Sequence, residues 1–213
     1  MTSAATPRQS VGGHMSGGAA GQKRFYDSAS AVWMVKVFPG EFYITSDPQE
    51  MLVTVLGSCV AACVRDPQRG IGGMNHFMLP QGSSTGWGGV AESTRFGNFA
   101  MEKLINELIK AGCSRSALEI KVFGGGNVID SSAAIGTNNA EFVLRYLEAE
   151  GLHCAAKDLG GQLPRRIQYF PATGKVVRRL LGSSEKLSIV REESEYARNL
   201  TTHRTAGEVE LFT

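Results

Sequence analysis

LGSCVAACVRDPQRGIGGMNHFMLP, residues 56–80, holds two apolar runs around a polar turn, and the pairing of those runs decides both fold and site. VAACVR and IGGMNHFML read as the strands of an antiparallel hairpin. Asp66-Pro67-Gln68-Arg69 closes it as a four-residue loop, with proline where a type I turn favours it. With Arg65 facing Gly70, Cys59 stands opposite His76. Directly facing residues of such a pair share a face, with Cβ atoms about 4.5 to 5.5 Å apart. A slip of one residue would put the thiol and the imidazole on opposite faces.

That proximity matters chemically. A free thiol is mostly protonated at neutral pH, and an adjacent imidazole lowers its pKa by stabilising the thiolate. Gly57 leaves the approach to the sulfur open. The backbone N–H groups around Ser58 and Cys59 are oxyanion-hole candidates, and Asn75, beside His76, is a further substrate-binding or oxyanion candidate. Thr54, upstream on LVTVL, is placed to orient the ring through its hydroxyl. Cys63, Cys113 and Cys154 lack such neighbours and read as core thiols. His14 and His203 fall in the expected tails, and His153 begins a strand without a partner.

Outward from this stretch, VWMVKVF, EFYIT and LVTVL have the β-branched and aromatic bias of short strands. Residues 81–94, QGSSTGWGGVAEST, read as a glycine and serine loop that lines a site. RFGNFAMEKLINELIKAG carries Met101, Leu104, Ile105 and Leu108 at helical spacing, with Gly112 as its C-cap. LEIKVF is a strand running into Gly124-Gly125-Gly126-Asn127, a tight turn that lacks the pattern of a P-loop or of a dinucleotide fold. A second helix is expected over 139–150, with Asn138 as N-cap, Glu141 answering it and Gly151 closing it. HCAAKDL, RRIQYF and GKVVRRLL follow as strands, the last two joined at Pro171-Ala172-Thr173-Gly174, and DLGGQLPRR is a loop leading into a strand.

The order of elements predicts an α+β fold, a layered α/β sandwich with a mixed, largely antiparallel sheet and flanking helices. One domain over 32–190 is expected, between a disordered tail at 1–31 and a polar tail or arm at 191–213. Lys plus Arg is 22 against 20 Asp plus Glu, with no long basic run, which argues against nucleic acid as a partner. No apolar run reaches signal-peptide or membrane-spanning length, so a cytoplasmic protein without membrane insertion is expected. The four cysteines lack the C-x-x-C pairs of a zinc site and are too scattered for a disulfide framework.

LGSCVAACVRDP followed by GIGGMNHFMLP resembles the signature of CheD, the bacterial chemoreceptor glutamine deamidase family. The likeness continues through RFGNFAMEKLINELIKAG, KVFGGGN, IGTNNAEFVLRYLEAEGL, DLGG and RRIQYFPATGKV, roughly residues 33–180. The resemblance implies a protein-glutamine glutaminase that converts glutamines of methyl-accepting chemotaxis receptors to glutamate and ammonia. It implies Cys59 as the nucleophile that forms a thioester, His76 as base and then acid, and Thr54 as the orienting residue. It also implies a sandwich fold shared with certain deamidating toxins, and no metal or organic cofactor. A rival expectation is a regulatory protein that binds the receptors or the CheC phosphatase with little turnover.

Overall fold

The computed structural model describes residues 10–14, 23–80, 87–128 and 135–203. Among these, eleven strands form two sheets. The strands are β1 (Ser10–His14), β2 (Lys23–Asp27), β3 (Val32–Lys36), β4 (Glu41–Thr45), β5 (Glu50–Leu56), β6 (Val60–Asp66), β7 (Ile71–Asn75), β8 (Glu119–Gly124), β9 (Cys154–Leu159), β10 (Arg165–Phe170) and β11 (Lys175–Leu180). The helices are α1 (Trp87–Lys110), α2 (Ile135–Ala149) and α3 (Ser183–His203). One sheet has the order β1-β4-β7-β6-β8-β9 and the other β11-β10-β5-β3-β2. Both are mixed, because β8 pairs β9 and β3 pairs β5 in parallel while the remaining pairs are antiparallel.

The run VAACV explains the layering. Val60, Ala62 and Val64 face one core, with Phe42 and Ile44 of β4 and Leu104, Ile105 and Leu108 of α1. Cys59, Ala61 and Cys63 face a second core, with Leu52 and Leu56 of β5 and Ile167 and Tyr169 of β10. A strand buried on both faces reads as a continuous apolar run, and β6 is that central strand. The layers are therefore helices α1 and α2, then the six-stranded sheet, then the five-stranded sheet. This is the expected α+β sandwich, with a second sheet in place of a single one.

The hairpin differs in register from its sequence reading. Arg65 faces Gly72 and Cys63 faces Met74, two residues away from the expected pairing. Gly70, read as facing Arg65, belongs to the turn. Its φ is +67°, which glycine adopts without strain, and its N–H bonds the Asp66 carbonyl at 3.0 Å. A shift of two preserves the face, so Cys59 and His76 remain neighbours, diagonal rather than directly opposed.

Other boundaries move as well. The loop expected at 81–94 is helical from Trp87, so α1 takes in Gly88 and Gly89, poor helix formers that disguise its first turns. Residues 81–86 lie outside the described residues. α2 begins at Ile135, so Asn138 is inside the helix and caps nothing, and Glu141 reaches Arg145 at 3.8 Å instead. A Cβ at Gly136 would overlap the Gly126 carbonyl, so the first turn of α2 is set by close packing on the glycine turn. β1 and β2 fall within the first 31 residues, where composition points to disorder; they pair with β4 and β3 at sheet edges. The polar stretch beyond Arg191 continues a helix that begins at Ser183. No described helix is long and apolar enough to cross a membrane.

Candidate active site

β5 ends at Leu56, the chain bends through Gly57 and Ser58, and Cys59 directly precedes β6. The glycine turn after β8 clamps this bend. Gly125 N–H bonds the Cys59 carbonyl and Gly126 N–H the Gly57 carbonyl, both at 2.8 Å. Gly124, with φ +111°, has no room for a side chain because a Cβ would overlap the Cys59 carbonyl. From the other side Asn139 of α2 donates to the Ser58 carbonyl at 2.8 Å and accepts from Leu79 N–H at 2.8 Å. The bend is thus fixed from two sides before any ligand arrives.

His76 directly follows β7, its N–H bonded to the Glu41 carbonyl at 2.9 Å. Its Nδ1 lies 2.8 Å from the Thr54 hydroxyl, which in turn donates to the Val37 carbonyl at 2.8 Å. A hydroxyl has one proton. Since that proton goes to Val37, Nδ1 must carry the hydrogen that Thr54 accepts, and Nε2 is left with its lone pair. Nε2 is buried and has no hydrogen-bond partner among the described residues. One ring nitrogen of His76, the Cys59 sulfur and a Glu193 oxygen all lie within 4.8 Å of one another.

Glu193 comes from α3 and is 3% exposed. Its Oε1 accepts from the N–H groups of Gly57 at 2.9 Å and Cys59 at 3.1 Å. Its Oε2 accepts from Ser58 N–H at 2.8 Å and from the Ser58 hydroxyl at 2.7 Å. Three successive N–H groups form an anion-binding nest. Gly57 is needed here for space, because a Cβ would stand 2.7 Å from Oε2. Cys59, His76 and Glu193 offer a sulfur, a nitrogen and an oxygen of the kind that hold zinc. The four lone-pair directions of the carboxylate are, however, already met by N–H and O–H donors, which is the company of a bound anion.

The electrostatics follow from enclosure. Burial, and then the charge of Glu193, push the Cys59 thiol well above its ordinary pKa. Burial also pushes His76 down to about 4, against an opposing pull from Glu193. The pair at neutral pH is therefore thiol and neutral imidazole, whereas the sequence reading expects a lowered thiol pKa. The difference arises from α3, whose Tyr196 and Ala197 pack on the core that contains Cys59 and whose carboxylate disfavours a second negative charge.

The structure brings together Cys59, His76, Thr54, Gly57 and Ser58. It does not bring Asn75, whose amide bonds Ala62 N–H at 2.9 Å and the Ala100 carbonyl at 3.0 Å. Both ends of that side chain are spent on tying β6 and β7 to α1, so Asn75 is no oxyanion donor. Sequence reasoning misses Asn139 and Glu193. Both carry one signal, a polar residue inside the apolar stripe of a helix. Asn139 shares the buried face of Phe142, Val143 and Tyr146, and Glu193 that of Ile189, Tyr196 and Ala197.

A buried thiol, an imidazole with a bare nitrogen and an anion-accepting nest define a site equipped for acyl transfer at sulfur. The family model for CheD chemotactic sensory transduction matches residues 78–180. The chain is 53% identical over 190 residues to the probable chemoreceptor glutamine deamidase CheD of Rhodopseudomonas palustris (strain BisA53), covering 89% of each chain. It is 47% identical to the protein of the same name from Hahella chejuensis (strain KCTC 2396), covering 89% of this chain and 90% of that one. For the namesake in Halorhodospira halophila (strain DSM 244 / SL1) the identity is 45%, with 89% of each covered. The chain belongs to the CheD family.

Proposed function

We propose that this chain is a protein-glutamine glutaminase acting on glutamine side chains in the cytoplasmic part of methyl-accepting chemotaxis receptors. The names of its relatives support the substrate, and one feature of the site supports the mechanism. Thr54 spends its proton on Val37, which leaves Nε2 with its lone pair in a ring that has a nitrogen within 4.8 Å of the Cys59 sulfur.

In the forward step Nε2 takes the proton of the Cys59 thiol as the sulfur attacks the carboxamide carbon. The carbonyl oxygen, now negative, is held by the N–H groups of the Gly57–Cys59 nest. The imidazolium returns the proton to the nitrogen, the C–N bond breaks and ammonia leaves a thioester on Cys59. Water then attacks that thioester and gives its proton to Nε2; the thiolate leaves and is reprotonated, releasing glutamate. Thr54 holds the ring in one tautomer throughout.

A regulatory reading is favoured by a different observation, that Glu193 fills the nest and leaves no place for a substrate oxygen. In that reading the chain binds the receptors, or a CheC phosphatase, with little turnover. Incubation with receptor cytoplasmic fragments, followed by peptide mass spectrometry, separates the two. The enzyme reading expects the mass gain of Gln to Glu at discrete sites, abolished by Cys59→Ser and kept by Cys63→Ser. Binding of fragments without any such gain would favour the regulatory role.

A further inference from the structure

We infer that α3 is an intrasteric inhibitor, seating the carboxylate of Glu193 where the product carboxylate of the reaction lies, so that a substrate glutamine enters only when α3 has left. This rests on the glutamine-hydrolysing reading above, because the product of that reaction is a glutamate side chain.

The fit of Glu193 to its seat is complete. Every lone-pair direction of the carboxylate is met, and three of its four donors are backbone N–H groups of Gly57, Ser58 and Cys59. These donors belong to one rigid bend, and the acceptor arrives from a residue 134 to 136 positions away in sequence. The same N–H groups are the ones the reaction needs for its oxyanion, so substrate and inhibitor compete for the same donors. The sulfur is closed off with them, since Cys59 is 0% exposed under α3.

The neighbouring cavity, of about 170 Å³, shows how partial the remaining access is. It reaches Thr54 and His76 and is walled on the α3 side by Leu181, Ile189 and Glu192. Cys59 is not among its walls. A small molecule in that cavity would meet the imidazole but not the nucleophile.

What α3 offers the groove also describes what the groove accepts. The stripe Ile189, Glu193, Tyr196, Ala197 places an apolar residue one turn before the seated side chain, and an aromatic and a small residue one turn after it. The competing substrate is therefore a helical segment that presents glutamine at the centre of an apolar stripe. Displacing α3 exposes the seat, and the segment's carboxamide oxygen takes the place of a Glu193 oxygen.

The test is iodoacetamide labelling of the full chain, read by peptide mass mapping. Glu193→Ala is expected to label Cys59 at least about tenfold faster than the parent, because it removes both the plug and the charge that disfavours the thiolate. Glu195→Ala, on the exposed face of α3, should label at the parent rate. Cys63 and Cys113 lie in the two cores, and their labelling should stay slow in every variant. Receptor fragments should protect Cys59 of the Glu193→Ala protein more than that of the parent. Equal Cys59 labelling in the Glu193→Ala protein and the parent would overturn the inference. So would a parallel acceleration at Cys63, which would mean general unfolding. If Cys59 labelling rises as expected but neither protein deamidates any receptor fragment, the hydrolase reading fails and the occlusion by α3 stands.

Discussion

Two buried carboxylates sit at the two ends of β6, each held by three backbone N–H groups, and they are built for opposite purposes. Asp66 accepts from Gln68 at 2.9 Å, Arg69 at 3.3 Å and Ser114 at 3.0 Å. Glu193 accepts from Gly57, Ser58 and Cys59. Two of the donors to Asp66 lie in its own turn, so the bonds form as the hairpin forms and order little extra chain. Glu193 reaches its donors only through the docking of a whole helix. A carboxylate bound locally is part of the fold, whereas one bound at a distance can leave while the fold persists. The Asp66 end of β6 is a joint, and the Cys59 end is a seat.

The largest effect expected from this contrast is on stability. Asp66→Ala leaves three N–H groups without their acceptor and should cost about 2 to 4 kcal/mol, lowering the thermal midpoint by roughly 10 °C. Glu193→Ala should lower the midpoint much less, since water reaches its donors once α3 lifts. Similar losses in the two variants, by calorimetry, would erase the distinction between joint and seat.

Acid sharpens it next. Burial opposes ionisation of Asp66, but the N–H groups of Ser114, Gln68 and Arg69 together with the Arg69 charge outweigh it and hold the carboxyl below its ordinary pKa. A carboxyl lowered by folding contributes stability that is present above its unfolded pKa, about 4, and lost as pH falls through the folded value. The parent's midpoint should therefore drop more steeply below about pH 4 than that of Asp66→Asn. Parallel curves would contradict the sign of this shift.

The hairpin end that carries Asp66 is also where sequence reading is instructive. The runs VAACVR and IGGMNHFML made strands legible, and the thiol and imidazole fell on one face despite a register wrong by two, because side-chain direction repeats every two residues. What misled the register was Gly70, whose positive φ belongs to the turn. The grouping of Cys59, His76 and Thr54 was legible because β5, β6 and β7 are consecutive strands that carry or border all three. Glu193 was not, because the donors and the acceptor are separated by more than half the chain and the stripe on α3 holds few apolar residues. β1 and β2 were hidden for a related reason, that edge pairing is a tertiary event with little local signature.

A smaller effect concerns the imidazole beside the seat. Thr54→Ala removes one neutral hydrogen bond, worth about 0.5 to 1.5 kcal/mol, and frees the ring to adopt the other tautomer. Turnover on receptor fragments should fall roughly tenfold, with KM little changed, and Thr54→Ser should restore most of it. A Thr54→Ala protein with normal turnover and only a lowered midpoint would remove Thr54 from the positioning role.

Acylation of Cys59 by a glutamine side chain would leave a thioester that hydroxylamine can trap. Added during turnover on receptor fragments, hydroxylamine should divert the thioester and leave glutamyl hydroxamate at the same positions that otherwise become glutamate. The parent should form that product and Cys59→Ser should not. Deamidation that proceeds in the parent without any hydroxamate, or hydroxamate formed equally by Cys59→Ser, would contradict the account.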